Sequence, residues 1–192
     1  MTVIGLVRHG VTDWNAQMRA QGHTDIPLNE EGRHQAERLG IRISGETWDF
    51  VYSSDLGRAV ETARKAVERH GLEVALEIRL REVYLGEIEG STEAERISKW
   101  GDNWRELDLG EESREAVAER GIQAINEIAD RHPGKRVLIV SHGGLLGLSM
   151  KRLVPHVDTS SFLRNTSLSL VRRTEDGRWE CDLYNCTKHL ED

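Results

Sequence analysis

Two apolar runs, Val3-Ile4-Gly5-Leu6-Val7 and Val137-Leu138-Ile139-Val140, carry no polar alternation. Such runs fit strands covered on both faces, as in a parallel sheet flanked by helices. Between them the period becomes helical. Ala36, Leu39 and Ile43 form a stripe behind Asn29, whose side chain is a natural cap for a helix opened by Glu30 and Glu31 and stopped near Gly45. A short strand is predicted from Asp49 to Ser53. Leu56, Ala59, Val60, Ala63 and Val67 then recur at helical spacing, with Asp55 as the expected cap, Arg58 in the first turn and Gly71 as the stop. Residues 73–78 read as another strand. Ser113 opens a long helix with Val117, Ala124, Ile125 and Ile128 on one side, broken by His132-Pro133-Gly134. A helix from about Gly144 to Leu153 and two strands near 167–173 and 178–185, joined by Glu175-Asp176-Gly177, close the chain.

Alternating strands and helices of this kind predict an α/β fold: a three-layer α/β/α sandwich with a mostly parallel central sheet and right-handed crossovers. Its 192 residues suit one domain over 1–192, without internal repeats or low-complexity linkers. The stretch 84–112 breaks the pattern, because glycines and charges interrupt its period before a helix carrying Trp100 and Trp104. It is expected to form a cap segment. The two tryptophans, four apart, would share one helix face, as core or as a lid over a substrate.

Hydrophobic residues make up 38% and charged residues 31%, a globular balance. The net charge of -7 argues against a nucleic-acid binder, so any cationic site must be local. No run is long and apolar enough for a membrane span, and Arg8 interrupts any leader-like apolar core, which predicts a cytoplasmic protein with no membrane partner. Cys181 and Cys186 lack metal-site spacing and read as free packing thiols. A homodimer remains open.

The chemistry concentrates where the two apolar runs end. Each is followed by a histidine and a glycine, in Arg8-His9-Gly10 and Ser141-His142-Gly143-Gly144. Ligands of open α/β sheets bind outside the carboxyl ends of the strands. An arginine beside a histidine there, with Thr12 and Asn15 close behind, supplies charge and donors for an oxyanion. Arg58, near a helix N-terminus, adds a second cation. Two histidines and nearby glutamates could instead ligate zinc or manganese. Fixed positive charge from Arg8 and Arg58 would occupy the place of a dication, however, and HExxH is absent. A dinucleotide cofactor is excluded because no GxGxxG follows the first strand. Neither a metal nor a cofactor is expected. The remaining histidines, His23, His34, His70, His132, His156 and His189, show no paired context and read as structural.

These segments resemble the histidine phosphatase superfamily, in its phosphoglycerate-mutase-like branch. RHGxTxxN from Arg8, SSDLxRAxxTA from Ser53, LxExxxGxxEG from Leu80 and SHGG from Ser141 occur in that family's order and cover nearly the whole chain. The resemblance implies that His9 is a nucleophile forming a phosphohistidine that water hydrolyses. It implies that Arg8, Arg58 and a cationic His142 surround the phosphoryl group, with Asn15, the Gly143 N–H, and Gln21 or Gly22 as further contacts. Glu82 matches the family's acid, with Glu87 and Glu89 as local competitors. A carboxyl beside bound phosphate holds its proton more tightly, which suits a general acid.

Family members include phosphatases, mutases and bisphosphatases, and fold alone does not separate them. Cofactor-dependent mutases are usually longer, with a basic insert, whereas here Glu87, Glu89, Glu93 and Glu95 make the stretch after Glu82 acidic. The expectation is a metal-independent phosphatase for small phosphorylated metabolites, resembling the broad-specificity bacterial branch. A phosphoglycerate mutase and a noncatalytic phospho-ligand binder are the alternatives.

Overall fold

The computed structural model describes residues 1–191. Strands β1 (Thr2–Arg8), β2 (Phe50–Ser53), β3 (Val74–Leu76), β4 (Arg136–Ser141), β5 (Leu168–Arg173) and β6 (Trp179–Cys186) form one sheet in the order β3-β2-β4-β1-β5-β6. The first four in that order run parallel, and β5 and β6 are added antiparallel. The helices are α1 (Asp13–Ala16), α2 (Glu30–Ile43), α3 (Gly57–Val67), α4 (Glu93–Trp100), α5 (Arg114–Arg131) and α6 (Gly143–Leu153).

The unbroken apolar runs now have their cause. Ile4, Leu6, Val137 and Ile139 pack with Val117 and Ile125 of α5 and Leu145 and Met150 of α6. Their neighbours Val7, Leu138 and Val140 face the other way, onto Leu39 and Ile43 of α2 and Ala59 and Ala63 of α3. A strand covered on both faces has no position for a polar residue. Asn29 and Ser113 cap α2 and α5 as their side chains predict, accepting from Gly32 N and Ala116 N.

This topology places the site. β1 and β4 are adjacent and parallel, yet the chain leaves β1 toward α2 on one face and leaves β4 into α6 on the other. Opposite departures open a crevice at the carboxyl ends of these two strands. His9 N donates to Ser141 O at 2.9 Å, carrying the ladder one step into the crevice. Gly10 lets the loop descend onto α2, since a Cβ there would lie 2.5 Å from the Gly32 carbonyl oxygen.

Three local expectations are corrected. Asp55 does not cap α3, whose N-cap position is Leu56; the Asp55 carboxylate is held by two charge-assisted bonds from Arg81, at 2.7 and 2.5 Å. The strand expected over 73–78 is limited to β3, because Glu77 caps a 3-10 turn over Ile78–Leu80. Trp100 and Trp104 do not share a helix. Gly101, at φ +85°, ends α4, and Trp104 opens a separate 3-10 turn. Trp104 is buried against Ile88 and Leu109, with Trp100 packed on the same cluster, so these rings form the core of the 84–112 segment rather than a lid. The segment closes at its base, where Tyr84 O accepts from Glu112 N at 2.9 Å. Among the described residues no helix is long and apolar enough to cross a membrane.

Candidate active site

His9 and His142 meet at the crevice, with ring centroids 5.1 Å apart, and both are buried. Nδ1 of His9 lies 2.7 Å from the Gly10 carbonyl oxygen. A carbonyl only accepts, so Nδ1 carries the proton and the lone pair sits on Nε2. Burial, then the positive charges of Arg58 and Arg8, hold the pKa of His9 well below its ordinary 6.5, against the opposing Gly10 bond. The imidazole is therefore neutral at pH 7. Neutrality with the proton on Nδ1 is the state in which Nε2 is a nucleophile.

His142, the N-cap residue of α6, is also held well below 6.5, by burial first and then by Arg58, His9 and Arg8. Burial and the two arginines thus favour its neutral form, and the negative charge of a phosphoryl group would oppose them. Its Nε2 lies 2.9 Å from Ser54 Oγ, which also accepts from Leu56 N. A hydroxyl can donate or accept; when Ser54 donates to Nε2, the imidazole proton rests on Nδ1.

Arg8 donates to Leu163 O at 2.7 Å, and its guanidinium lies 4.8 Å from the Phe162 ring. Arg58 has no exposed surface and donates to Thr24 O at 3.0 Å and to Gly22 O at 2.7 Å. Burial lowers both guanidinium pKa values to about 10, with Glu82 opposing in each case. Both stay charged at neutral pH. Eight buried side-chain N or O atoms lack a partner among the described residues, and four of them are Arg8 Nε, Arg58 Nε, His142 Nδ1 and Gln21 Nε2. A buried donor left unpaired costs about 1–3 kcal/mol. Arg8, Arg58 and His142 act electrostatically on His9, so three of these atoms belong to groups gathered around one ring.

Glu82 enters from the loop before the cap. Its carboxylate accepts from Val83 N at 2.9 Å, Gly144 N at 3.0 Å and Leu145 N at 2.9 Å, covering the N-terminus of α6. A Cβ on Gly144 would stand 2.5 Å from Glu82 Oε1, so glycine is required for this approach. Of the competitors, Glu87 pairs with Lys99 on the cap and Glu89 accepts from Thr24 N. Asn15 completes the capping box of α1 with Thr12, and its Oδ1 also lies 3.3 Å from Asn165 Nδ2. Gln21 Oε1 accepts from Thr12 Oγ1 at 2.8 Å. Gly22 acts through its carbonyl on Arg58, and Gly143 opens α6 beside Arg8 Nε.

Several groups at the site were not singled out from sequence. Ser54 holds His142, Thr62 Oγ1 accepts from Gly10 N at 3.0 Å, and Asn165 donates to His9 O at 2.9 Å. His23, read as structural, places Nε2 2.8 Å from Glu82 O. Ser54 and Thr62 lay inside the SSDLxRAxxTA segment; Asn165 carried no local signal. Among the described residues no three His, Cys, Asp or Glu side chains gather as metal ligands.

The fold and this site define an α/β protein with paired histidines and two buried arginines at the carboxyl ends of its central strands. The chain belongs to the histidine phosphatase superfamily (branch 1), whose model matches residues 4–187. It is 36% identical to a phosphoglycerate mutase-like protein 4 of Arabidopsis thaliana, over 98% of this chain and 87% of that one. It is 34% identical to a metal-independent phosphoserine phosphatase of the same plant, over 99% and 84%. Among solved structures it superposes on Bacillus stearothermophilus YhfR with a TM-score of 0.90 and 32% identity, covering both chains completely. These relationships place it among phosphatase- and mutase-type enzymes.

The depressed histidines make stability pH-dependent. The unfolded chain binds protons at His9 and His142 near pH 6.5, whereas the folded chain does not until well below that value. Stability is therefore fully present above 6.5 and falls as pH drops below it, by up to about 1.4 kcal/mol per pH unit for each such group. His189, lowered to about 4 by burial and Arg42, adds to the slope. Thermal unfolding between pH 7 and 5 is expected to show a falling Tm. A His9→Gln/His142→Gln double variant is expected to show a shallower fall, and an unchanged slope would contradict the neutral pair.

Proposed function

We propose that the protein is a metal-independent phosphatase of small phosphate monoesters, working through a phosphohistidine on His9. The observation that carries this reading is the cluster of buried, unpartnered donors around a neutral His9 whose free lone pair is on Nε2. In this reading the phosphoryl oxygens take up Arg8 Nε, Arg58 Nε, His142 Nδ1 and Gln21 Nε2, with the Asn15 amide and the Gly143 N–H as further donors. Their arrangement before substrate arrives is the electrostatic preorganisation on which phosphoryl transfer depends. The monoester enters carrying one proton, which passes to the Glu82 carboxylate; Nε2 then attacks phosphorus in line, the bond from phosphorus to the ester oxygen breaks, and the leaving alkoxide takes that proton from Glu82. Glu82 exchanges one of its α6 N–H bonds for the ester oxygen at that step. Water then attacks phosphorus, Glu82 accepts its proton, and inorganic phosphate leaves.

Hydrolysis is favoured over mutase chemistry by what surrounds the crevice. A groove of about 920 Å³ runs from Gly143 and Gly144 between Val83 and Leu85 on one side and Phe162 and Leu163 on the other, open to water. Two acidic residues of the cap are paired, Glu93 with Arg96 and Arg105 and Glu95 with Arg19. Arg105, Arg114 and Lys151 line this groove beside Glu111 and Glu112, so its charge is mixed rather than uniformly basic. The mutase reading keeps support from relatives named for that activity.

The test is turnover of p-nitrophenyl phosphate and phosphoserine in EDTA, with 3-phosphoglycerate plus bisphosphoglycerate in parallel. Stoichiometric release of inorganic phosphate in EDTA is expected. Rapid 2-phosphoglycerate formation with little free phosphate would establish the mutase instead, and absence of any turnover would favour a phospho-ligand binder or restore the metal-dependent reading, which activity regained on adding a divalent metal would identify.

A further inference from the structure

Arg120, in the middle of α5, lies outside every motif described above, yet it spends three donors on one short stretch of chain and two on Glu112. Nη1 donates to the carbonyl oxygens of Arg79 at 2.8 Å and Arg81 at 2.6 Å, and Nη2 donates to that of Glu82 at 2.9 Å. Nε and Nη2 form a bidentate pair with Glu112 at 2.7 and 2.8 Å. A guanidinium has five N–H donors, and here all five are spent. Arg120 and Glu112 are each about one-fifth exposed, so water competes weakly for this pair.

The stretch that Arg120 holds ends in the candidate acid. The Glu82 carbonyl receives a second bond, from His23 Nε2 at 2.8 Å; since a carbonyl only accepts, Nε2 of His23 carries the proton. The preceding residue, Arg81, is tied to Asp55. The peptide at Glu82 is thus gripped from α5 and from the loop after α1, while its carboxylate is aimed at Gly144 N and Leu145 N. Glu112 also receives Tyr84 N and returns its own N–H to Tyr84 O, so the same guanidinium pins the base of the cap two residues beyond Glu82.

We propose that Arg120 is the positioning residue of the proton donor: its clamp on the Glu82 peptide, braced by Glu112 and His23, sets where that carboxyl meets the leaving oxygen. Arg120 does not reach the phosphoryl group, whose contacts come from Arg8, Arg58 and His142. Loss of the clamp lets the Glu82 backbone drift while the anion cradle stays intact. A proton donor misplaced by about 1 Å is costly, with effects near 10²-fold. The proposal rests on the phosphatase reading for its kinetic consequence and on geometry alone for its structural one.

The two consequences are tested separately in Arg120→Met and Arg120→Lys. p-Nitrophenolate leaves readily without a proton, whereas an alkoxide does not. Arg120→Met is expected to lose about 10–100-fold in kcat/KM on an alkyl phosphate such as glycerol phosphate, with under about threefold loss in kcat/KM on p-nitrophenyl phosphate, because kcat/KM covers the steps up to transfer onto His9 and not the later hydrolysis that both esters share. Arg120→Lys is expected to recover part of the loss. Equal losses in kcat/KM on both esters would assign Arg120 a merely structural role and overturn the proposal. Amide hydrogen exchange of Gly144 and Leu145 needs no activity: Arg120→Met should expose both amides while the rest of α6 stays protected. Unchanged protection there overturns the clamp whether or not the wild-type protein is a phosphatase, and wild-type inactivity with the exposure observed would refute the phosphatase reading alone.

Discussion

His9→Ala is expected to reduce turnover of every phosphate monoester by about 10⁴-fold or more, because the residue is the covalent carrier and nothing nearby replaces it. His142 is the neighbouring imidazole, but its Nε2 is engaged with Ser54 and Arg58 and Arg8 bear on it as they do on His9. Binding should survive. Arg8 Nε and Arg58 Nε do not depend on the His9 ring for their orientation, since Leu163, Gly22 and Thr24 hold the two guanidinium groups. Inorganic phosphate or vanadate is therefore expected to bind His9→Ala within about tenfold of wild type, measured by calorimetry or by the shift in Tm. A variant that loses binding and turnover together would mean that His9 shapes the cradle rather than carrying the phosphoryl group.

Arg58→Met is expected to lower kcat/KM by about 10³-fold with little loss of stability, because the two effects have different origins. The kinetic loss follows from removing a preorganised cation from the transferring group, where single donors are worth about 10²–10³-fold and cations more. Stability is a balance. Burial lowers the Arg58 pKa from 12.5 to about 10, and a shift of that size weighs against the charged form by about 3 kcal/mol. Replacement by methionine removes that penalty and gives up the bonds to Gly22 O and Thr24 O, worth about 1–3 kcal/mol each. The terms nearly cancel, so the Tm should move by a few degrees at most. A collapse of the fold in this variant would show that Arg58 is there to hold the 22–24 loop and not the substrate.

Most of the sheet was legible because burial on both faces writes an unbroken apolar run, and only β1 and β4 required one. The helices α2, α3, α5 and α6 were legible from stripes and caps. α1 escaped because four residues are too few for a period, although Thr12 and Asn15 spell its capping box. Asp55 was misjudged as a cap because its partner, Arg81, lies 26 residues away and outcompetes a local backbone bond. The Trp100/Trp104 helix failed for a comparable reason: Gly101 ends it, and burial of Trp104 against Ile88 and Leu109 is a tertiary fact.

At the site, His9, Arg8, Arg58, His142 and Glu82 were readable as residues because strand ends and one helix start carry them, and the structure gathers all five. Their states were not readable. The proton on Nδ1 of His9 depends on the Gly10 carbonyl, the neutrality of His142 depends on burial beside two arginines, and the bonds of Glu82 depend on α6. Arg120, Ser54 and Asn165 act across long separations, where sequence spacing gives no signal.

The central claim is that Nε2 of His9 receives the phosphoryl group. It is tested most directly by mixing the wild-type protein with a fast ester such as p-nitrophenyl phosphate, quenching in alkali within milliseconds, and mapping the phosphoryl group by mass spectrometry. The expected result is one acid-labile, alkali-stable phosphoryl group on the peptide carrying His9, absent from His9→Ala. A protein that turns over the ester at full rate with that peptide never modified, or modified only at another residue, would contradict the account.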